Sequence, residues 1–256
     1  MNLLVFDIET IPDVALGRRA LNLRGLSDAQ VARAMFTQAR AQSGSDFLPL
    51  EQHQVAAISC VLRSRDQLRV WSLGDAQSSE QDLIQRFFEG IERYTPELVS
   101  WNGSGFDLPV LHYRALRAGV QAPRYWEAGD EDREFRYNNY LNRYHWRHMD
   151  LMDILSGFQG RARASLEDMA ALLELPGKLG FSGDKVWDAF QRGELAAIRN
   201  YCETDVLNTY LIYTRFEFMR GRLDAAGLAA EQQRVKDTLR ASGAAHHLEF
   251  LAALGG

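Results

Sequence analysis

The spacing of apolar residues divides the chain into strands and helices. "NLLVFDIET" opens as an unbroken apolar run of strand length. "VAAISCVLRS" and "QLRVWSLG" are two more strand candidates, close enough across "RSRD" to pair as a hairpin, and "ELVSWNG" is a further strand. Elsewhere the period becomes helical. "SSEQDLIQRFFEGIERY" places Leu83, Ile84, Phe87, Phe88 and Ile91 on one face behind a capping Ser. "FDLPVLHYRALRAG" reads as a helix with Pro in its first turn and Gly119 as its stop.

After an irregular aromatic stretch from about Gln121 to His148, "MDLMDILS" resumes order. "SLEDMAALLEL" is a helix capped by Ser165 and ended by "PGK", and "DKVWDAF" is a short one. The longest helix is "ELAAIRNYCETDVLNTYLIYTRFEFMR", with a core stripe at Leu195, Ile198, Cys202, Val206 and Tyr210; more helix runs from Gly227 to the end. The segment Leu16–Glu51 carries one helix, "SDAQVARAMFTQARAQ", capped by Ser27 or Asp28, and reads as an insertion rather than core. Strands first, then helices, predict one mixed α/β sheet with helices packed on it.

The chain has 256 residues, 46% hydrophobic and 25% charged, an ordinary globular composition with enough length for a substantial core. Its two cysteines, Cys60 and Cys202, fall in apolar-periodic segments and read as core residues. No apolar run approaches the roughly 20 residues of a membrane helix, and the acids at positions 7 and 9 interrupt what a signal peptide would keep apolar; a cytoplasmic protein is expected. A net charge of −5 argues against coating long nucleic acid by charge alone, though not against gripping a short stretch.

The candidate chemistry lies in acids that interrupt this pattern. Asp7 and Glu9 are two apart on a strand, so both project from one face, where two like charges repel unless a cation lies between them. Asp107, in "WNGSGFDLP", follows a strand at the start of a helix, where it is either a cap or a ligand, one role not excluding the other. Tyr201 and Asp205 are four apart on the long helix, beside its core stripe, either as a hydrogen-bonded surface pair or as part of a site.

Together these stretches resemble the three motifs of the DEDDy 3′–5′ exonucleases, the proofreading-type group on an RNase H-like fold, and in particular a stand-alone bacterial family related to the exonuclease domain of family-B polymerases. Asp7-X-Glu9 resembles the first motif, Asn102 with Phe106-Asp107 the second, and Tyr201-X-X-X-Asp205 the third. The resemblance covers roughly residues 1–220 and implies a mixed five-stranded sheet flanked by helices, with residues 221–256 as a helical extension packed on the same domain. It further implies two divalent cations, Mg²⁺ or Mn²⁺, held by Asp7, Glu9, Asp107 and Asp205. Asp7 would bridge both ions, Glu9 and Asp205 would complete the water-activating position, Asp107 would hold the second ion largely through waters, and Tyr201 would aim the attacking water. The partner would be a single-stranded nucleic-acid 3′ end, with DNA favoured and RNA possible.

For holding that substrate, Asn102, Phe106 and Lys178 are candidates from the motif stretches. Arg143, Trp146 and Arg147 in "EFRYNNYLNRYHWRH" are candidates because aromatic faces stack bases and Arg grips phosphate, unless that segment simply packs on the core. Two competing readings are an RNase H-like module that binds without cleaving and a carboxylate-pair glycosidase; Asp7 and Glu9 are too close to flank a sugar bond.

Overall fold

The computed structural model describes residues 2–65 and 67–255. Strand β1 (Asn2–Pro12) is followed by α1 (Val14–Ala20) and α2 (Asp28–Ser43), then by strands β2 (His53–Ser64) and β3 (Gln67–Ser72). Helix α3 (Glu80–Tyr94), strand β4 (Glu97–Ser100), α4 (Asp107–Ala118), α5 (Pro123–Trp126), β5 (His148–Asp150) and α6 (Leu151–Leu155) come next. The chain continues through α7 (Leu166–Leu172), α8 (Val186–Gln191), α9 (Leu195–Met219), α10 (Ala225–Ser242) and α11 (Ala245–Ala253). The five strands form one mixed sheet in the order β3-β2-β1-β4-β5, antiparallel on the β3-β2-β1 side and parallel from β1 through β4 to β5. The turn of the β2-β3 hairpin includes Asp66, outside the described residues.

Strand β1 is central and covered on both faces, which is why its apolar run is unbroken. Leu3 and Val5 belong to the core under α9, while Leu4, Phe6 and Ile8 face α3 and α4. Side-chain alternation therefore puts Asp7 and Glu9 on the α9 face. Beyond Glu9 the register shifts: Glu9 lies opposite Ala57 and Thr10 opposite Val55, so β2 carries one extra residue there.

The helix signals are local and were legible. Ser27 and Ser79 each make a reciprocal capping box, Ser165 caps α7, and Gly119 ends α4 at φ 68°. Helix α9 departs from the one-stripe expectation. It is buried all round from Tyr201 to Ile212, because the sheet covers one side while α7, α8, α10 and α11 cover the rest. Val235 and Leu239 of α10 and Phe250 and Leu251 of α11 join the same core as Leu3 and Val5. Glu231 of α10 pairs with Arg63 of β2 at 2.6 Å and accepts from the Tyr210 hydroxyl at 2.7 Å.

The 16–51 segment has a small core of its own, built from Val31, Met35, Ala39 and Leu48. It begins beside a buried ion network in which Arg114 donates to Asp13 at 2.6 Å and to Glu80 at 2.5 Å.

Candidate active site

Asp7, Glu9 and Asp205 bring carboxylate oxygens within 4.8 Å of one another. Two come from adjacent same-face positions of β1 and the third from α9, which lies across that face. The contact is fixed at Cys202, whose thiol donates to the Asp7 backbone carbonyl at 3.4 Å and approaches its Oδ2 at 3.5 Å. One helical turn on, the Asp205 carboxylate lies close enough to Tyr201 for each to shift the other's ionisation, and the Tyr201 ring packs on Phe181 with centroids 5.0 Å apart. Tyr201 and Asp205 are thus a buried pair beside the β1 acids rather than a surface pair.

Asp107 reaches the same place from the β4-α4 connection. The sequence allows it as a helix cap, yet Phe106 is the N-cap residue and makes no side-chain cap bond. The Asp107 carboxylate instead accepts the backbone N–H of Ile8 at 3.0 Å, between the two β1 acids. The tight loop before it turns at Asn102, which has φ 65°. Asp150 holds that loop by accepting the backbone N–H groups of Asn102 and Ser104, both at 2.9 Å. Asp150 also begins α6 as its N-cap; the clamp on the second-motif loop is a positioning role that no local pattern announces.

Burial and crowding of four acids dominate the electrostatics. The Asp7 carboxyl is pushed well above the ordinary range by burial first and then by Asp107, Glu9 and Asp205. Glu9 is raised by burial and then by Asp205 and Asp107, with Lys178 opposing. Burial lifts Asp107 to about 7, against its backbone hydrogen bonds, and Asp205 to about 6, against the Tyr201 hydrogen bond and Lys178. Burial, then Asp205, Glu9 and Asp7, drive the Tyr201 phenol far upward, so it stays protonated. An all-oxygen donor set, converging and short of positive charge, suits hard divalent cations.

A cleft of about 570 Å³ opens beside Glu9, lined by Phe106, Lys178, His53, Phe47 and Trp187 among others. Lys178 pairs with Glu167 at 3.2 Å. Phe47, 58% exposed, packs on Phe106 and His53 with centroids 5.5 and 5.2 Å away. Phe47 and Trp187 were not found by sequence reasoning; the 16–51 segment that reads as a detached insertion contributes Phe36, Phe47 and Leu48 to this wall.

The structure does not bring Trp146 and Arg147 to the acids. Trp146 stacks on Phe216 and under Arg220, beside Leu3 and Glu97 at the opening residues of β1 and β4. Four strand residues separate Leu3 from Asp7, roughly 13 Å along the sheet. Arg147 lies 4.2 Å over Phe135 and donates to the Asn138 carbonyl at 2.6 Å, packing its segment onto the core. Arg143 does stand at the acid end of the sheet, paired at 3.0 Å with Asp153 just beyond β5.

A mixed five-stranded sheet in this order, with carboxylates from β1, the β4-α4 turn and α9 meeting at one edge, defines an RNase H-like fold of the exonuclease type. The chain belongs to the family described as "Predicted 3'-5' exonuclease related to the exonuclease domain of PolB", whose model matches residues 45–254. That match begins after β1, so Asp7 and Glu9 enter the site through the geometry. DNA polymerase 1 of Sulfurisphaera ohwakuensis is 49% identical over 39 residues, 15% of this chain and only 4% of that polymerase. Among the described residues no helix is long and apolar enough to cross a membrane.

Proposed function

We propose that this chain is a metal-dependent 3′–5′ exonuclease that removes nucleoside 5′-monophosphates from single-stranded 3′ ends, with DNA favoured over RNA. The observation that carries the reading is the convergence of Asp7, Glu9 and Asp205 within 4.8 Å, with Tyr201 buried beside Asp205. Asp7, Glu9 and Asp205, with Asp107, would hold two Mg²⁺ or Mn²⁺ ions. When bound, such ions neutralise phosphate charge and lower the pKa of water at the site.

The side chains do the rest. Tyr201 keeps its proton beside Asp205 in the metal-free site, and its oxygen lone pairs are free to accept from the attacking water and aim it. Asp107, tied to the β1 backbone, keeps the second-motif loop in register with Asp7 and Glu9. Phe106, Phe47 and Trp187 offer ring faces on which the terminal bases stack without regard to sequence, and Lys178 supplies a cation toward phosphate. Asn102 and Arg143, at the same end, are the further substrate contacts.

The test is a gel of 5′-labelled single-stranded DNA and RNA of one sequence, with Mg²⁺ or Mn²⁺ and with EDTA. A metal-dependent ladder shortening from the 3′ end is expected; uncut substrate with both ions, from folded protein, refutes the reading. Tyr201→Phe is expected to lower kcat by about 10²-fold while Mn²⁺ binding by calorimetry stays unchanged. Parallel loss of binding would show a structural role instead.

Phe47→Ala is expected to raise KM by roughly 10-fold, since one stacked base contributes about 1–3 kcal/mol. Trp146→Ala, at the far end of the sheet, is expected to leave KM unchanged. The reverse pattern in a steady-state comparison would move the substrate path away from the 570 Å³ cleft.

A further inference from the structure

The C-terminal helices bring two histidines to the back of α9, on the side turned away from Tyr201 and Asp205. Glu203 lies two residues from each of those, about 200° around the helix. Its carboxylate meets the first turn of α11: His246 Nε2 is 2.8 Å and His247 Nε2 is 3.0 Å from the same oxygen, Oε2. We propose that Glu203, His246 and His247 form a second metal centre, taking a borderline ion of the Zn²⁺ class and clipping α11 to α9.

The hydrogen-bonding around His247 leaves a gap that a cation fills. Ser242 Oγ gives its proton to the Leu239 carbonyl at 2.9 Å and accepts from the Ala244 N–H at 3.4 Å. With the hydroxyl proton on that carbonyl, Nδ1–H is the donor in the 2.7 Å contact between His247 and Ser242. A neutral His247 then carries its proton on Nδ1 and presents a bare lone pair at Nε2. That atom is buried, makes no well-aligned hydrogen bond, and lies 3.0 Å from a carboxylate oxygen. Two lone pairs facing each other in a buried place repel, and a cation between them removes the conflict.

The carboxylate is prepared for the same geometry. Glu203 Oε1 accepts the Ser72 hydroxyl at 2.6 Å, which turns Oε2 toward the imidazoles, and Ser72 is itself 2.9 Å from Ser59. A metal-bound imidazole ordinarily donates its other ring N–H to a fixed acceptor, and Ser242 Oγ stands 2.7 Å from His247 Nδ1 to serve as one. Zinc–ligand bonds of about 2.0–2.2 Å place tetrahedral ligand atoms roughly 3.3 Å apart, so each imidazole nitrogen, at 2.8 and 3.0 Å, need move only a few tenths of an ångström from Oε2. The His246 side chain is 18% exposed, which leaves a path for the ion and a position for water.

Two nitrogens and one oxygen select for borderline ions, whereas the all-oxygen set on the other side of α9 selects for hard ones. The chain can therefore sort two kinds of metal onto two faces of one helix. A clip at Glu203 also fixes the rotation of α9 about its axis, which sets the aim of Tyr201 and Asp205.

The experiment uses the full chain, stripped with chelator and titrated with Zn²⁺ against a chromogenic indicator in excess Mg²⁺, with zinc-edge X-ray absorption on the loaded protein. Wild type is expected to take up one tight zinc with imidazole scattering. Asp7→Asn keeps it, Ser242→Ala weakens it by about 10-fold, and His246→Gln weakens it by at least about 100-fold. Zinc raises the melting temperature of wild type but not of His246→Gln. No tight zinc in wild type, zinc without imidazole scattering, loss in Asp7→Asn, or indifference to His246→Gln would each overturn the proposal. So would pH-dependent stabilisation without zinc uptake, which would identify an imidazolium–carboxylate pair. The two sites share no side chain, so failure here leaves the nuclease reading standing.

Discussion

Asp7→Asn is expected to lower kcat by on the order of 10³-fold or more while making the metal-free protein more stable. The loss follows from the proposed site: Asp7 is the acid that feels Asp107, Glu9 and Asp205 together, so it would be the ligand shared by the two proposed cations. Removing one arm of a two-ion clamp forfeits several kcal/mol of charge stabilisation in the transition state, and about 4 kcal/mol corresponds to roughly 10³-fold. The gain in stability follows from the same crowding. Burial and three neighbouring acids oppose the charged form of Asp7, and an amide of the same shape removes that repulsion. Steady-state kinetics and thermal melting in EDTA check both halves. An active Asp7→Asn enzyme would remove Asp7 from the chemistry; an inactive variant that is also less stable would show a structural carboxylate instead.

Metal-free protein is expected to lose stability as pH rises from about 4 to about 7, and divalent cation is expected to restore it at neutral pH. An acid whose pKa is higher folded than unfolded binds more protons when folded, so stability falls across the window between the two values and is flat above it. Asp107 at about 7 and Asp205 at about 6, against ordinary values of 3.8, set that window, and Asp7 and Glu9 move the same way. At neutral pH the first two cost the folded state on the order of several kcal/mol.

Below pH 4 other groups take over. Asp13 is buried, which alone would raise its pKa, but Arg114 and the Leu16 N–H hold it below the ordinary range, and its contribution is lost as the medium turns acid. Stability in EDTA should therefore peak near pH 4. At pH 7.5, saturating Mg²⁺ or Mn²⁺ binds only the folded state; if it recovers about 3 kcal/mol, the melting temperature rises by roughly 6–12 °C for a chain of this size. At pH 5, where protons already occupy the acids, the same ion should add little. An equal shift at both pH values would place the cation elsewhere.

The residues that were legible in the sequence are those whose role is set within a few positions of themselves. Asp7 and Glu9 share a face because strand side chains alternate, and Tyr201 and Asp205 are neighbours because a helix repeats every 3.6 residues. Ser27, Ser79 and Ser165 cap helices, and Gly119 ends one, through hydrogen bonds and backbone angles that span one turn. Those local rules were enough to expect a mixed α/β sheet with helices packed on it, and the resemblance of the motifs to an exonuclease family pointed to the site.

What they could not reach depends on which distant surfaces meet. Asp107 reads as either a cap or a ligand until β1 is beside it, and its carboxylate then accepts the Ile8 N–H, 99 positions away in sequence. The stretch around Trp146 and Arg147 has the composition of a base-stacking, phosphate-gripping surface, but β5 runs parallel to β1, so the residues just before β5 fall at the end opposite the acids. Phe47 and Trp187 form a cleft wall only because the 16–51 segment folds back over the end of β1. Glu203 meets His246 and His247 only because α11 packs on α9. Alternation, helical repeat and capping are short-range and visible in one dimension. The pairing of faces is decided by which packing buries the most apolar surface at once, a property of the whole chain that the tertiary structure alone decided.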